Sequence, residues 1–160
     1  MQTDEEPYTG PFAFIRNRKI PIMNADGGSA CICVERKDIS NAELRSTGIV
    51  TLLPAPGPGK AIWLQHCAFV LRVPTGSAFV GTPAVTIGYS GLANIVTTTN
   101  VATALDDNVG RYINLPMAGV QLLSSATNTT LGWALASGLT GNAANDNTVS
   151  LYLTYVIIDV

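Results

Sequence analysis

The spacing of apolar side chains along this chain predicts strands almost throughout. The longest stretch, 61–73, carries Trp63, Cys67, Phe69, Leu71 and Val73 at odd positions and Ile62, Leu64, Ala68 and Val70 at even ones. A strand apolar on both sides is expected to be covered on both, and in a single domain the second cover can be another chain. Ahead of it, 48–53 is a shorter strand rich in aliphatic residues. The link between them, Pro54-Ala55-Pro56-Gly57-Pro58-Gly59, can be neither helix nor sheet ladder.

Beyond residue 73 the period of two continues, punctuated by turns. Strands are predicted over 84–89, 94–99, 111–115, 119–123 and 131–135, the last with Leu131, Trp133 and Leu135 on one face. Residues 101–107 suit a single helical turn. After a Gly/Asn/Ala-rich loop over 137–147 comes a long strand, 148–159, with Val149, Leu151, Leu153, Tyr155 and Ile157 facing inward. The pattern gives about eight antiparallel strands and no long helix. The expected fold is all-β, a jelly-roll-like β-sandwich with an extended N-terminal arm.

The arm is inferred from charge. Residues 1–60 hold seven basic and seven acidic side chains, 14 of the 20 in the chain. We therefore divide the sequence into a polar arm, 1–45, and an apolar β-domain, 46–160. Within the arm a short strand fits 30–34 and a helical turn fits 41–44. Phe12, Phe14 and Ile15, followed by Arg16, Arg18 and Lys19, form a sticky and basic cluster suited to gripping a neighbouring subunit.

Composition points the same way. Of the 160 residues 47% are hydrophobic and only 12% charged, about half the usual charged share. Such a surface suits assembly better than life as a concentrated monomer. The net charge of −2 offers no attraction for nucleic acid or an anionic membrane. No apolar run reaches the length of a membrane-spanning helix. The acidic start, MQTDEEPYTG, lacks a signal-peptide pattern, so the chain is expected to be made and kept in the cytosol or built into something assembled there.

Candidate chemistry is sparse. Cys31, Cys33 and Cys67 are odd in number and badly spaced for zinc, and read as buried thiols. His66 is the sole histidine, and its neighbour Cys67 points the other way along a strand, so no dyad forms. Gly57-Pro58-Gly59-Lys60 departs from a phosphate loop, with Pro54 and Ala61 at positions that need Gly and Ser or Thr. Asp106, Asp107 and Asp146 do not carry calcium-loop spacing. The sequon Asn128-Thr129-Thr130 reads as chance. No catalytic role, cofactor or metal is expected.

The run Gly48-Ile49-Val50-Thr51-Leu52-Leu53-Pro54-Ala55-Pro56-Gly57-Pro58-Gly59-Lys60-Ala61-Ile62 resembles a signature of tailed-phage structural proteins. With Gly88-Tyr89, the loop 138–147 and the strand 149–160, residues 46–160 are similar to the jelly-roll cement (decoration) proteins of phage heads. The resemblance implies a virion protein on the capsid surface whose partners are the major capsid protein and copies of itself, a dimer first and a trimer second. A tail or baseplate protein is the alternative, and a carbohydrate-binding jelly roll a more distant one. For self-association the sequence nominates Trp63, His66 and Phe69 on the long strand. The arm residues Phe12, Phe14, Ile15, Arg16, Arg18 and Lys19 are nominated for contact with the capsid.

Overall fold

The computed structural model describes residues 18–23, 29–81, 83–89, 94–100, 105, 108–116 and 127–160. In chain order these form β1 (Arg18–Met23), β2 (Ser29–Ile39), α1 (Asn41–Leu44), β3 (Val50–Leu53), β4 (Lys60–Arg72), β5 (Phe79–Val80) and β6 (Ala84–Tyr89). They continue with β7 (Asn94–Asn100), β8 (Arg111–Leu115), β9 (Leu131–Leu135), β10 (Thr140–Gly141) and β11 (Thr148–Asp159). All the pairings are antiparallel.

Two sheets make the sandwich, one ordered β1-β2-β11-β4-β8 and the other β3-β9-β6-β7, with β5 and β10 as a small separate pair. Setting aside β1, β5 and β10, the first strand pairs with the eighth (β2 with β11) and the second with the seventh (β3 with β9). The third pairs with the sixth (β4 with β8) and the fourth with the fifth (β6 with β7). A long antiparallel hairpin rolled up on itself gives this order, which is the jelly roll. The expected fold class is what the chain adopts.

The core lies between the sheets. Val85, Ile87 and Tyr89 of β6 and Leu131, Trp133 and Leu135 of β9 face Phe69 and Leu71 of β4 and Val149, Leu151 and Leu153 of β11, all buried. The Tyr89 hydroxyl donates to the Ile62 carbonyl at 2.7 Å, tying the sheets together by a buried hydrogen bond. Burial pushes that phenol up to about 12, against the opposing hydrogen bond from the Leu64 backbone.

The division at residue 45 is not where the domain begins. β2 pairs with β11 from Ile39↔Val149 to Ile32↔Val156, deep in the sheet. Leu44 of α1 is buried in the core, and Ser40 caps the helix in a capping box with Glu43. The charges of 35–38 suggested an arm because β2 lies next to the sheet margin, where both faces reach solvent. Arg18 and Lys19 open the edge strand β1 opposite Val34 and Cys33, and Pro21 is tolerated there because β1 is an edge. Phe12, Phe14, Ile15 and Arg16 lie outside the described residues, as do Asp106, Asp107 and the predicted strand 119–123.

The proline-rich link between β3 and β4 closes on glycines with φ of +108° (Gly57) and +68° (Gly59), a region other residues rarely enter. Two amides at its end are occupied: Gly57 N–H donates to Asn128 Oδ1 at 3.1 Å and Lys60 N–H to the Gly57 carbonyl at 3.2 Å. Lys60 Nζ meets Asp159 Oδ1 at 3.2 Å. This is a structural turn held by Asn128, the asparagine of the sequon.

Candidate functional site: the outer face of the five-stranded sheet

The site begins with an irregularity in β4. Thr154 of β11 lies opposite His66 while the next residue, Tyr155, lies opposite Leu64, so Gln65 is an extra residue and the strand bulges there. The bulge reverses the facing of β4. Ile62 and Leu64 point into the core on one side of it, and Cys67, Phe69 and Leu71 do so on the other. Trp63 therefore does not share a face with Phe69. It stands on the outer face, 46% exposed, with His66 also exposed.

This corrects one assignment. Phe69 cannot be a self-association anchor, because it is fully buried and stacked on Trp133, whereas Trp63 is exposed. His66 is on the surface: its Nε2 lies 3.0 Å from Asn114 Oδ1 of β8, which also accepts from the Tyr112 hydroxyl at 2.7 Å. Tyr112 is 63% exposed. Trp63, His66 and Tyr112 thus lie on one face, on two neighbouring strands.

The same face continues across β11 to β2. Cross-strand partners share a face, so Tyr152 sits between Ala68 and Arg36, and Ser150 between Val70 and Asp38. Ser150 is wholly buried by its neighbours and works as a relay. It accepts from Arg72 at 3.1 Å and donates to Asp38 Oδ1 at 2.6 Å, and Asp38 pairs with Arg36 Nε at 2.7 Å. Burial pushes the Asp38 carboxyl up, but the hydrogen bonds from Ser150 and Arg36 and the charges of Arg36 and Arg72 outweigh it and hold it below its ordinary value. The Arg36 guanidinium lies 6.0 Å over the Tyr152 ring.

The sequence did not single out Tyr112, Asn114, Arg36, Asp38, Ser150, Arg72 or Tyr152. The signal was present in β11, whose inner residues alternate with Ser150, Tyr152 and Thr154, and those mark the outer face by elimination. Among the described residues no group of three or more His, Cys, Asp or Glu side chains is placed to hold a metal ion. Cys33 and Cys67 are buried and form no disulfide with each other, and burial pushes the Cys67 thiol up to about 12. What this arrangement offers is contact. Trp, Tyr and Arg side chains, partly fixed by hydrogen bonds, are the residue types that anchor protein interfaces.

Neither a protein-family model nor a curated protein matches the chain. Among solved structures, the chain is similar to one from the capsid asymmetric unit of cyanophage Pam1, at 14% identity and TM-score 0.41 over 98% of this chain and 96% of that one. It is also similar to the Stig cyclase Fisc from Fischerella sp. TAU (9% identity, TM-score 0.40, 94% and 92% covered). A third likeness is to a chain of the nora virus structure (10% identity, TM-score 0.35, 99% and 66% covered). Likeness of this degree leaves the assignment to the chain's own geometry.

Proposed function

We propose that this chain is a non-catalytic structural virion protein that binds the outside of a phage capsid and stabilises the shell, as a cement or decoration protein does. The observation that carries the reading is the outer face of the five-stranded sheet. It presents Trp63 and Tyr112 to solvent although the interior of the jelly roll is already filled by the fold's own side chains. Large rings held outside a finished core fit a protein whose partner is another protein. The turn signature of 48–62 and the low charge of the surface support the same reading. Here Trp63 and His66, joined by Tyr112, form the self-association surface, and the N-terminal cluster from Phe12 to Lys19 grips the major capsid protein. Lattice contacts that exist only in the assembled shell stabilise it by mass action.

The test is to add the purified protein to expanded shells of the major capsid protein of the same phage and to heat them. Saturable binding and a raised rupture temperature are expected, with both reduced for Trp63→Glu and for a variant lacking residues 1–17. Absence of binding to shells, with binding to tails or baseplates instead, would replace this reading with the tail alternative.

A further inference from the structure

The loop between β10 and β11 buries more oxygen acceptors than it satisfies. Asn142 is 2% exposed and Asn147 1% exposed. The Oδ1 atoms of both, with Oδ1 of Asp146 and of Asn41, are buried and have no hydrogen-bond donor among the described residues. Turning the amides over is no remedy. Asn41 Nδ2 donates to the Asn147 carbonyl at 2.8 Å and Asn147 Nδ2 to the Ser77 carbonyl at 2.7 Å. A carbonyl accepts only from the NH2 end, so the Oδ1 of Asn41 and of Asn147 is left as the open atom, while Asn142 is unpartnered at both Oδ1 and Nδ2.

The backbone of the loop is already committed. Asn142 N–H donates to the Ala78 carbonyl at 2.7 Å, and Asn145 N–H to the Asn142 carbonyl at 2.9 Å. The Arg45 guanidinium takes the Gly141 and Asn142 carbonyls at 2.7 and 3.3 Å. Asn142 and Asn145 hold left-handed φ angles of 46° and 52°, so the loop keeps a shape that is uncommon outside glycine. A buried acceptor without a donor bears the full desolvation of that atom. Three such acceptors in one six-residue loop, and a fourth on the side chain tied to it, outnumber the one unpartnered donor there, Asn142 Nδ2, and call for a positive charge.

We propose that the side-chain oxygens of Asn41, Asn142, Asp146 and Asn147 bind a hard divalent cation of the calcium class. The donors are all oxygen, which selects against zinc and copper. Calcium accepts irregular shells of six to eight oxygens completed by water, whereas magnesium demands a near-ideal octahedron. A single carboxylate, with Arg45 close by, keeps the affinity weak, at a Kd of about 10⁻⁴–10⁻³ M. Bound there, the ion clips α1 to the chain entering β11. The proposal is independent of the virion reading.

Thermal melting of the full chain tests it, after chelation and then with added calcium or magnesium chloride. The expected result is a melting temperature that rises with calcium through the millimolar range and responds much less to magnesium. Asp146→Asn should abolish the calcium response while leaving the chelated melt nearly unchanged. Asn142→Asp, which adds a second carboxylate, should shift the response to lower calcium by tenfold or more. A wild-type melt indifferent to calcium would overturn the proposal, as would an equal response in Asp146→Asn. Waters on these four oxygens in a protein whose melt ignores calcium would overturn it as well.

Discussion

Phe69 of β4 and Trp133 of β9 stack across the sandwich with ring centroids 6.3 Å apart and planes 14° from parallel. Each comes from a different sheet, so this one contact joins the two layers at the centre of the core. Trp133→Ala is expected to cost about 3–5 kcal/mol, and Phe69→Ala a similar amount. The double variant should lose less than the two single losses together, because both delete the same contact. Denaturant unfolding of the four proteins measures this. Trp63→Ala should stay within about 0.5 kcal/mol of the parent, as for a surface substitution.

The outer-face reading predicts a separate effect for Trp63. Light scattering over a range of concentrations should give a dimer for the parent, or failing that a trimer. Trp63→Glu and Tyr112→Glu should move it towards monomer with little change in unfolding midpoint. A parent that stays monomeric at high concentration would remove the self-association claim.

Gly138 lies against the backbone of Arg45, and a Cβ there would overlap the Arg45 carbonyl. The neighbouring Leu139 N–H donates to the Leu44 carbonyl at 3.0 Å, so the approach is fixed by the backbone and cannot relax by a side-chain turn. Gly138→Ala is expected to lower stability by about 1–3 kcal/mol. The loss should appear in thermal melting and as faster hydrogen exchange at Leu139.

Two carboxyls make stability depend on pH in the acid range. Asp38 sits below its ordinary 3.8 for the reasons given above, and Glu43 below 4.5 because the Ser40 side chain and backbone hydrogen-bond it. A depressed carboxyl contributes stability above its unfolded value and loses it as the pH falls through the folded one. Unfolding midpoints should therefore fall as the pH drops from about 5 towards 3. Ser150→Ala should flatten the Asp38 part of that slope. Ser40→Ala should flatten the Glu43 part and cost about 1 kcal/mol from the lost cap.

Cys67 should be inert in the folded protein. With its thiol pushed up to about 12 by burial, almost no thiolate exists at pH 8. Iodoacetamide should leave the Cys67 peptide unmodified in native protein and alkylate it in denaturant, as read by mass spectrometry. Rapid native labelling would mean that the middle of β4 opens.

Much of the sandwich was legible in the sequence because its strands bury one face and keep the period of two. β6, β8, β9 and β11 fall where the alternation puts them. β4 was placed nearly as well, yet its facing was misread, because one added residue at Gln65 turns Trp63 outward. The adjacent polar pair Gln65-His66 inside an apolar run was the available sign. Ile157, expected inward, is 38% exposed at the end of β11. β2 was hidden by Glu35, Arg36, Lys37 and Asp38, whose charges are tolerated because the strand lies near a sheet margin. The buried amides of 142–147 could not be foreseen, since asparagine in a loop ordinarily signals a turn and faces water.

The position of β11 governs the order in which this protein can be made. It lies between β2 and β4, bonded to both along most of its length. A ribosome delivers residues 29–72 long before 148–159, so β2 and β4 emerge without the strand that joins them. Until it arrives, each presents an open row of backbone donors and acceptors to any other nascent chain. Folding therefore waits for late synthesis, and crowding among neighbouring ribosomes is where this chain is most exposed to mispairing.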